Sequence, residues 1–214
     1  YSYFIEPGEN AVIPFTEGDG DYTVVGYQQI QGDQYAALYS ETLTVELENE
    51  FLPFLYPNQY VNFTPDSKAS QLALSLIDED TVDVDALQQI YDYVVSNLTY
   101  DYEKADTVTT GYLPDVDETL KTGTGICFDY AALTTAMLRS CDIPCKLQIG
   151  YAGDIKHAWI DVYIRSKGWV NQAVSFKGDT WTLMDPTFDS NSDDKEAIQD
   201  YIGDESNYTV QFTR

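Results

Sequence analysis

The chain has 214 residues, enough for one moderate domain, or a domain with a smaller appendage, around a real core. Eleven Lys and Arg against 36 Asp and Glu give a formal net charge of -25. That leaves no basic face for phosphates and argues against nucleic acid and anionic membranes as partners. No apolar run reaches the ~18 residues of a spanning helix, so no membrane insertion is expected. Eighteen tyrosines, frequent Asn, Asp and Thr, and few lysines suggest a secreted or cell-surface protein. The absence of a signal peptide before Tyr1 is compatible with a mature chain and does not argue for the cytoplasm.

Residues 1–65 read as β structure. The runs DYTVVGYQQI and YAALYSETLTVELE are rich in β-branched and aromatic residues and are separated by QGDQ, a turn signal. Gly18, Gly20 and the prolines at 14, 53, 57 and 65 punctuate this segment. At Asp66 the pattern changes. Ala69, Leu72, Ala73 and Leu76 share one helical face, with Asp66 or Ser67 as N-cap. A longer helix is predicted over about 83–98, where Val84, Leu87, Tyr91, Val94 and Leu98 recur at three and four residues, with Asp83 as its cap. A loop is expected from Tyr100 to about Asp117, then a short segment to Lys121. Gly123 and Gly125 follow, and a third helix runs from Cys127 to about Arg139. KLQIGY, HAWIDVYIR, GWVNQAV and TWTLMD then read as strands, with a hairpin turn at Lys167 and Gly168. Helices first and antiparallel strands after them predict an α+β fold, a helix packed on a sheet.

The three cysteines, Cys127, Cys141 and Cys145, are too few for a disulfide framework. Cys141 and Cys145 stand four apart in CDIPC, where a local bridge is sterically conceivable, but two buried free thiols are the plainer reading. One histidine with these cysteines falls short of the paired spacing of a zinc site. DSNSDDKE, residues 189–196, spaces oxygens as a calcium loop does, yet lacks glycine at the sixth position and glutamate at the twelfth. No metal and no cofactor is therefore expected. The triplets beginning at Asn62, Asn97 and Asn207 would accept glycans only in a eukaryotic secreted chain.

The chemistry concentrates around Cys127. At the first position of its helix, the sulfur meets unpaired amide N–H groups and the positive end of the helix dipole, which favour thiolate over thiol. The same N–H groups can stabilise an oxyanion on a substrate carbonyl. Gly123 and Gly125 suit a helix presented end-on to substrate, where a Cβ-free approach is needed. Asp129, in the same first turn, helps the helix and works weakly against a thiolate. A general base must shuttle the proton, and the sequence contains one histidine. His157 opens a strand whose alternation puts His157, Trp159, Asp161 and Tyr163 on one face. Asp185, closing a later strand, is the candidate to orient the imidazole. Taken singly, each residue has an ordinary structural explanation; the joint order Cys, His, Asp carries the signal.

GICFDYAALTTAMLRSCDIPCKLQIGY, followed by HAWIDVYI, GWV and MDPTFD, resembles the core of the transglutaminase-like superfamily, whose fold is related to that of papain-like cysteine proteases. The family pattern has Gly-x-Cys before an Ala-containing helix, an Arg ending it, an Ile-Pro turn, a His-Ala-Trp strand and an Asp-Pro-Thr strand end. Cys127, His157 and Asp185 fall on its catalytic positions; Arg139, Ile143-Pro144, Gly150-Tyr151 and Gly168-Trp169 fall on structural ones. The sequence departs at Cys141, where the family has glycine, and at Cys145, where a small residue is common, which puts the local geometry there in doubt. The match covers about residues 66–190. It implies a transglutaminase-like catalytic domain over 66–214, preceded by a β-rich segment or small accessory domain over 1–65. It also implies a second oxyanion donor upstream of the cysteine, for which Tyr112 is a candidate by position, structural packing being its alternative.

The resemblance implies an enzyme that attacks an amide bond of a protein or peptide through a thioester. Water as acceptor gives a protease or amide hydrolase, the outcome that likeness to bacterial members favours. An amine as acceptor gives a glutamine crosslinker. The competing class is a non-catalytic extracellular binding module on the same fold.

Overall fold

The computed structural model describes residues 1–78, 80–171, 174–177, 180–183 and 208–214, the segments 174–177 and 180–183 by backbone alone. β1 (Gly20–Gln31) and β2 (Gln34–Val45) pair antiparallel across a tight turn in which Gly32 adopts φ 54. This is the hairpin expected from its β-branched and aromatic runs. It stands largely in solvent, with most side chains exposed on both faces. After it the chain returns to the body of the protein, where Phe54, Val61 and Phe63 are buried.

α1 (Lys68–Leu76) has Ser67 as its N-cap residue, but the Ser67 hydroxyl accepts from Thr64 N rather than from the helix. The carboxylate of Asp117 takes that role from outside, accepting from the amides of Lys68 (3.0 Å) and Ala69 (2.9 Å). α2 (Asp83–Asn97) starts one residue earlier than a cap at Asp83 requires, with Val82 at the N-cap. Asp83 is instead buried and holds Arg165 through its backbone amide (2.9 Å) and its guanidinium (Nη2, 2.9 Å).

The predicted loop from Tyr100 to Asp117 contains a helix, and its two ends belong to a strand and a second helix. β3 (Thr99–Tyr100) leads into α3 (Tyr102–Thr107), and α4 (Val116–Thr122) follows. Asp101 and Asp115 cap these helices, each accepting the amide three residues on at 2.9 Å. α4 ends at Gly123, whose φ of 65 is the left-handed conformation a C-terminal glycine provides cheaply. β4 (Thr124–Gly125) then pairs parallel with β3.

α5 (Cys127–Ser140) is the centre of the molecule: every residue from Asp129 to Arg139 is buried. Leu133, Met137 and Leu138 are completely enclosed, each contributing about 1.5–3 kcal/mol of apolar burial. The helix ends with Asp142 N donating to Arg139 O (3.1 Å) and Ile143 N donating to Leu138 O (3.1 Å). Asp142 supplies the left-handed residue at φ 56, while Cys141 keeps a φ of -102, so position 141 does not require glycine. Arg139 is buried and gives all three of its guanidinium nitrogens to the carbonyls of Cys145, Tyr56 and Arg214 at 2.8–3.0 Å. Burial pulls its guanidinium down to about 10.

Beyond α5, β5 (Cys145–Ala152), β6 (Ile155–Ile164), β7 (Gly168–Val170) and β10 (Tyr208–Thr213) form an antiparallel sheet in the order β10-β5-β6-β7. The predicted strand GWVNQAV divides into β7 and β8 (Val174–Lys177), and β8 pairs with β9 (Thr180–Leu183). Cys145, Leu147, Ala158, Ile160 and Val162 join the residues of α5 in one core. β10 is not among the strands read from the sequence, although Tyr208, Val210 and Phe212 alternate with Thr209, Gln211 and Thr213. It presses so closely on β5 that a Cβ at Gly150 would lie 1.9 Å from Thr209 O. No helix among the described residues is long and apolar enough to cross a membrane.

Candidate active site

The start of α5 is fixed by the strands before it. Thr99 N donates to Gly123 O and Asp101 N to Gly125 O, both at 2.9 Å, which holds Thr124 and Gly125 extended beside β3. Ile126 continues extended as the N-cap, and Cys127 is the first helical residue, half-buried, with its thiol unbridged. Asp129 and Tyr130 donate their amides to Ile126 O, while those of Cys127 and Phe128 meet no acceptor among the described residues.

An isoleucine has no side-chain acceptor, so the cap is made from the other direction. Asp129 Oδ2 accepts from Ile126 N at 2.8 Å. This explains Gly125 better than substrate approach does: a Cβ there would lie 2.7 Å from Asp129 Cβ. The Asp129 carboxylate has no solvent exposure, and two further donors meet it. Lys104 Nζ of α3 lies 2.7 Å from Oδ2, and the Tyr112 hydroxyl donates to Oδ1. Lys104 also donates to the Tyr112 oxygen (2.7 Å) and sits 4.5 Å from that ring's centroid. Burial alone would depress the Lys104 ammonium, but its bonds to Asp129 and Tyr112 outweigh burial and leave it raised. Burial, and then the bond to Asp129, push the Tyr112 phenol up to about 12. Tyr112 therefore spends its hydroxyl on the cap of α5, and the packing alternative describes it better than an oxyanion donor does.

His157 is the third residue of β6 and is buried. Its cross-strand partner is Gly150, and its ring stacks against Trp159 with centroids 6.3 Å apart and an interplanar angle of 17°. Trp159 in turn packs edge-on against Tyr208 of β10 at 5.1 Å. Further along the same face, Gln148 Nε2 donates to Asp161 Oδ2 (2.6 Å) and Thr213 Oγ1 to Gln148 Oε1 (2.8 Å). α5 packs on both β5 and β6. The chain runs along α5, returns along β5 and goes out again along β6, so the first turn of α5 and the first residues of β6 lie at one end of this unit. Asp185 lies outside the described residues, as do the acidic run 189–196 and Asn207.

Of the other two cysteines, Cys141 is half-buried like Cys127 and Cys145 is buried. Both are unbridged. Burial pushes the Cys141 thiol up to about 11 and the Cys145 thiol, 3.5 Å from Thr135 Oγ1, up to about 12. Among the described residues no three His, Cys, Asp or Glu side chains gather as a metal site would require.

A cysteine opening a buried helix, packed on an antiparallel sheet whose second strand carries a buried histidine, is the architecture of transglutaminase-like and papain-like folds. The profile described as "Transglutaminase-like superfamily" matches residues 70–186, and the chain belongs to that superfamily. It is 29% identical over 113 residues to UPF0252 protein MJ1282 of Methanocaldococcus jannaschii, a match covering 50% of this chain and 30% of that protein, so the chain spans under a third of the relative's length. Among solved structures it resembles a chain from Cytophaga hutchinsonii named "Putative Cysteine Protease", with TM-score 0.52 and 16% identity over 91% of this chain and 69% of that one. The periplasmic domain of TgpA from Pseudomonas aeruginosa is also similar, with TM-score 0.44 and 19% identity over 60% of this chain and 46% of that one.

Proposed function

We propose that this chain is a cysteine-dependent amide hydrolase, a protease of the transglutaminase-like superfamily, acting on protein or peptide substrates through a thioester. The observation that carries the reading is Cys127 at the first position of α5, with the amides of Cys127 and Phe128 unspent among the described residues and a buried histidine on the strand that starts at the same end. Membership of the superfamily, whose solved relative from Cytophaga hutchinsonii carries a protease name, supports it.

In this mechanism the Cys127 sulfur adds to the substrate carbonyl carbon, and the carbonyl oxygen takes up the electron pair as an oxyanion. The first-turn amides of α5 donate to that oxyanion. His157, protonated by the thiol, returns the proton to the amine as the C–N bond breaks, leaving a thioester on Cys127. Water then adds to the thioester carbonyl while His157 takes its proton, and collapse releases the acid and the thiol. Asp185 would hold the imidazole in the tautomer that both half-reactions need. The acidity, the many tyrosines and the scarcity of lysine agree with a site of action outside the cytoplasm.

The test combines a quenched-fluorescent peptide library with intact-mass analysis of rapidly acid-quenched reactions. A thioester adduct on the Cys127 peptide, absent in Cys127→Ala, His157→Ala and Asp185→Ala, is expected. Incorporation of a labelled amine into a glutamine-containing protein, in place of hydrolysis, would turn the reading to a crosslinker. Lack of any adduct together with ordinary thiol alkylation would turn it to a binding module.

A further inference from the structure

The first turn of α5 contains a contradiction. The proposed chemistry puts negative charge on the Cys127 sulfur and on an oxyanion beside the helix start. Asp129, two residues on, is a fully enclosed carboxylate at that same helix end. A buried negative charge in the same helical turn as the sulfur, in a protein interior of low effective dielectric, opposes both species by an amount that surface charges would not. Yet the carboxylate is needed, because it satisfies the Ile126 amide that no side chain of Ile126 could help to cap.

The protein supplies the counter-charge from a distant part of the chain. Lys104 is the only Lys or Arg between Lys68 and Lys121, in a chain with just 11 cationic side chains against 36 acidic ones. Its position is not that of a solvated surface lysine. The side chain is 30% exposed, and its ammonium lies 2.7 Å from Asp129 Oδ2 and is braced by the Tyr112 hydroxyl. Asp101 fixes the backbone of the same residue by accepting from Lys104 N. Among the described residues Lys104 pairs with Asp129 and with neither Glu103 nor Asp106 of its own helix, and Asp129 receives three donors at once: Ile126 N, Lys104 Nζ and Tyr112 Oη.

We propose that Lys104 is an electrostatic positioning residue for Cys127: it cancels the charge of the buried Asp129 cap, so that the start of α5 is held in place without repelling the negative charge that develops there. Tyr112 serves the same cap by ordering Lys104 and Asp129 together. Lys104 acts through Asp129 and does not touch the reacting atoms. This rests on Cys127 being the nucleophile, and it goes beyond that reading by naming a residue on a separate helix whose charge sets the nucleophile's readiness.

The experiment is the rate of iodoacetamide alkylation at neutral pH, followed at the Cys127 peptide by mass spectrometry in the full chain, so that Cys141 and Cys145 do not contribute. Lys104→Met is expected to slow alkylation about tenfold, the scale of one unbalanced charge within the same helical turn at protein-like screening. Lys104→Arg keeps the charge and should recover most of the rate. Lys104→Met combined with Asp129→Asn removes both charges and should also recover it, a coupling that simple loosening of the helix would not give. Should Lys104→Met fail to fold, Asp129→Asn with Lys104 in place still decides the matter, because alkylation should then run faster than in the parent. A parent-like rate in Lys104→Met, or a slower one in Asp129→Asn, overturns the proposal while leaving a fast Cys127 intact. A parent Cys127 that alkylates no faster than free cysteine overturns the nucleophile reading itself, and this inference with it.

Discussion

The hairpin β1–β2 and the unit α5–β5–β6 were both legible as local patterns, yet the structure uses them in opposite ways. In the hairpin Leu38 is 69% exposed, Tyr27 63% and Ile30 61%. Its order comes from its own ladder and from cross-strand pairs such as Thr23 with Thr42 (2.9 Å) and Thr44 with Asp21 (2.6 Å). In α5 eleven consecutive residues, Asp129 to Arg139, are buried, and even their polar members have protein partners, as Arg139 and Asp129 do. Propensity makes an element; burial decides whether it bears on stability and chemistry. Of the candidate site residues, Cys127 and His157 belong to the second region, one opening α5 and the other on β6.

The contrast can be broken most forcefully at the site. Cys127→Ala should abolish amide turnover, a loss of about 10⁴-fold or more on the proposed mechanism, while changing unfolding free energy by less than about 1 kcal/mol, because the residue is only half-buried. Turnover retained by this variant would remove the triad from consideration. Next in size is Gly150→Val. Since even a Cβ would meet Thr209 O at 1.9 Å, β10 must move away from β5, at a cost of about 3 kcal/mol. Urea unfolding reads that cost, and hydrogen exchange should reveal lost protection in β10 first. Unchanged protection there would mean that β10 is not tied to the sheet as described.

Much of this core was readable beforehand because its signals are periodic and long. α1, α2 and α5 carry apolar residues at three and four, and β5 and β6 carry motifs fixed in order, so their limits match to within a few residues. What escaped notice was short or non-local. α3 and α4 have too few residues for periodicity to register, although the aspartates at 101 and 115 that cap them were visible. The Asp117 carboxylate on the start of α1 and the Lys104–Asp129 pair join residues 49 and 25 positions apart, and no local pattern announces either. Gly125 and Gly150 were recognised as necessary, but the bodies that exclude a side chain there, Asp129 and Thr209, are brought in by the fold. Of the candidate site, Cys127 and His157 were legible as motif residues; Asp185 was named on the same grounds and lies outside the described segments.

Cys145 gives a smaller effect that tests burial by titration. Its thiol is held up at about 12, mainly because burial penalises the thiolate, against 9.0 for an unperturbed group. The folded value exceeds the unfolded one, so the stabilisation from keeping this proton is complete below about pH 9. It is lost progressively as the pH rises from 9 towards 12, because only the unfolded chain can release the proton. Cys145→Ala removes that dependence. Near pH 8 the variant should be less stable by about 1 kcal/mol, the cost of a small cavity, and by pH 11 the difference should close or reverse by about 2 kcal/mol. Parallel stability curves for the two proteins across this range would show that Cys145 ionises as freely in the fold as outside it.

The hairpin supplies the opposite limit. Leu38→Ser removes one of the most exposed apolar side chains in the molecule, and a residue 69% exposed when folded gains little from burial. The expected change in unfolding free energy is within about 0.5 kcal/mol, an order of magnitude below what Leu133→Ala should cost in the fully enclosed centre of α5. Two leucines of identical chemistry then separate by tertiary context alone. If the two variants lose comparable stability, Leu38 is covered in solution by something beyond its own hairpin, and the division between an exposed ribbon and a buried core would have to be redrawn at β2.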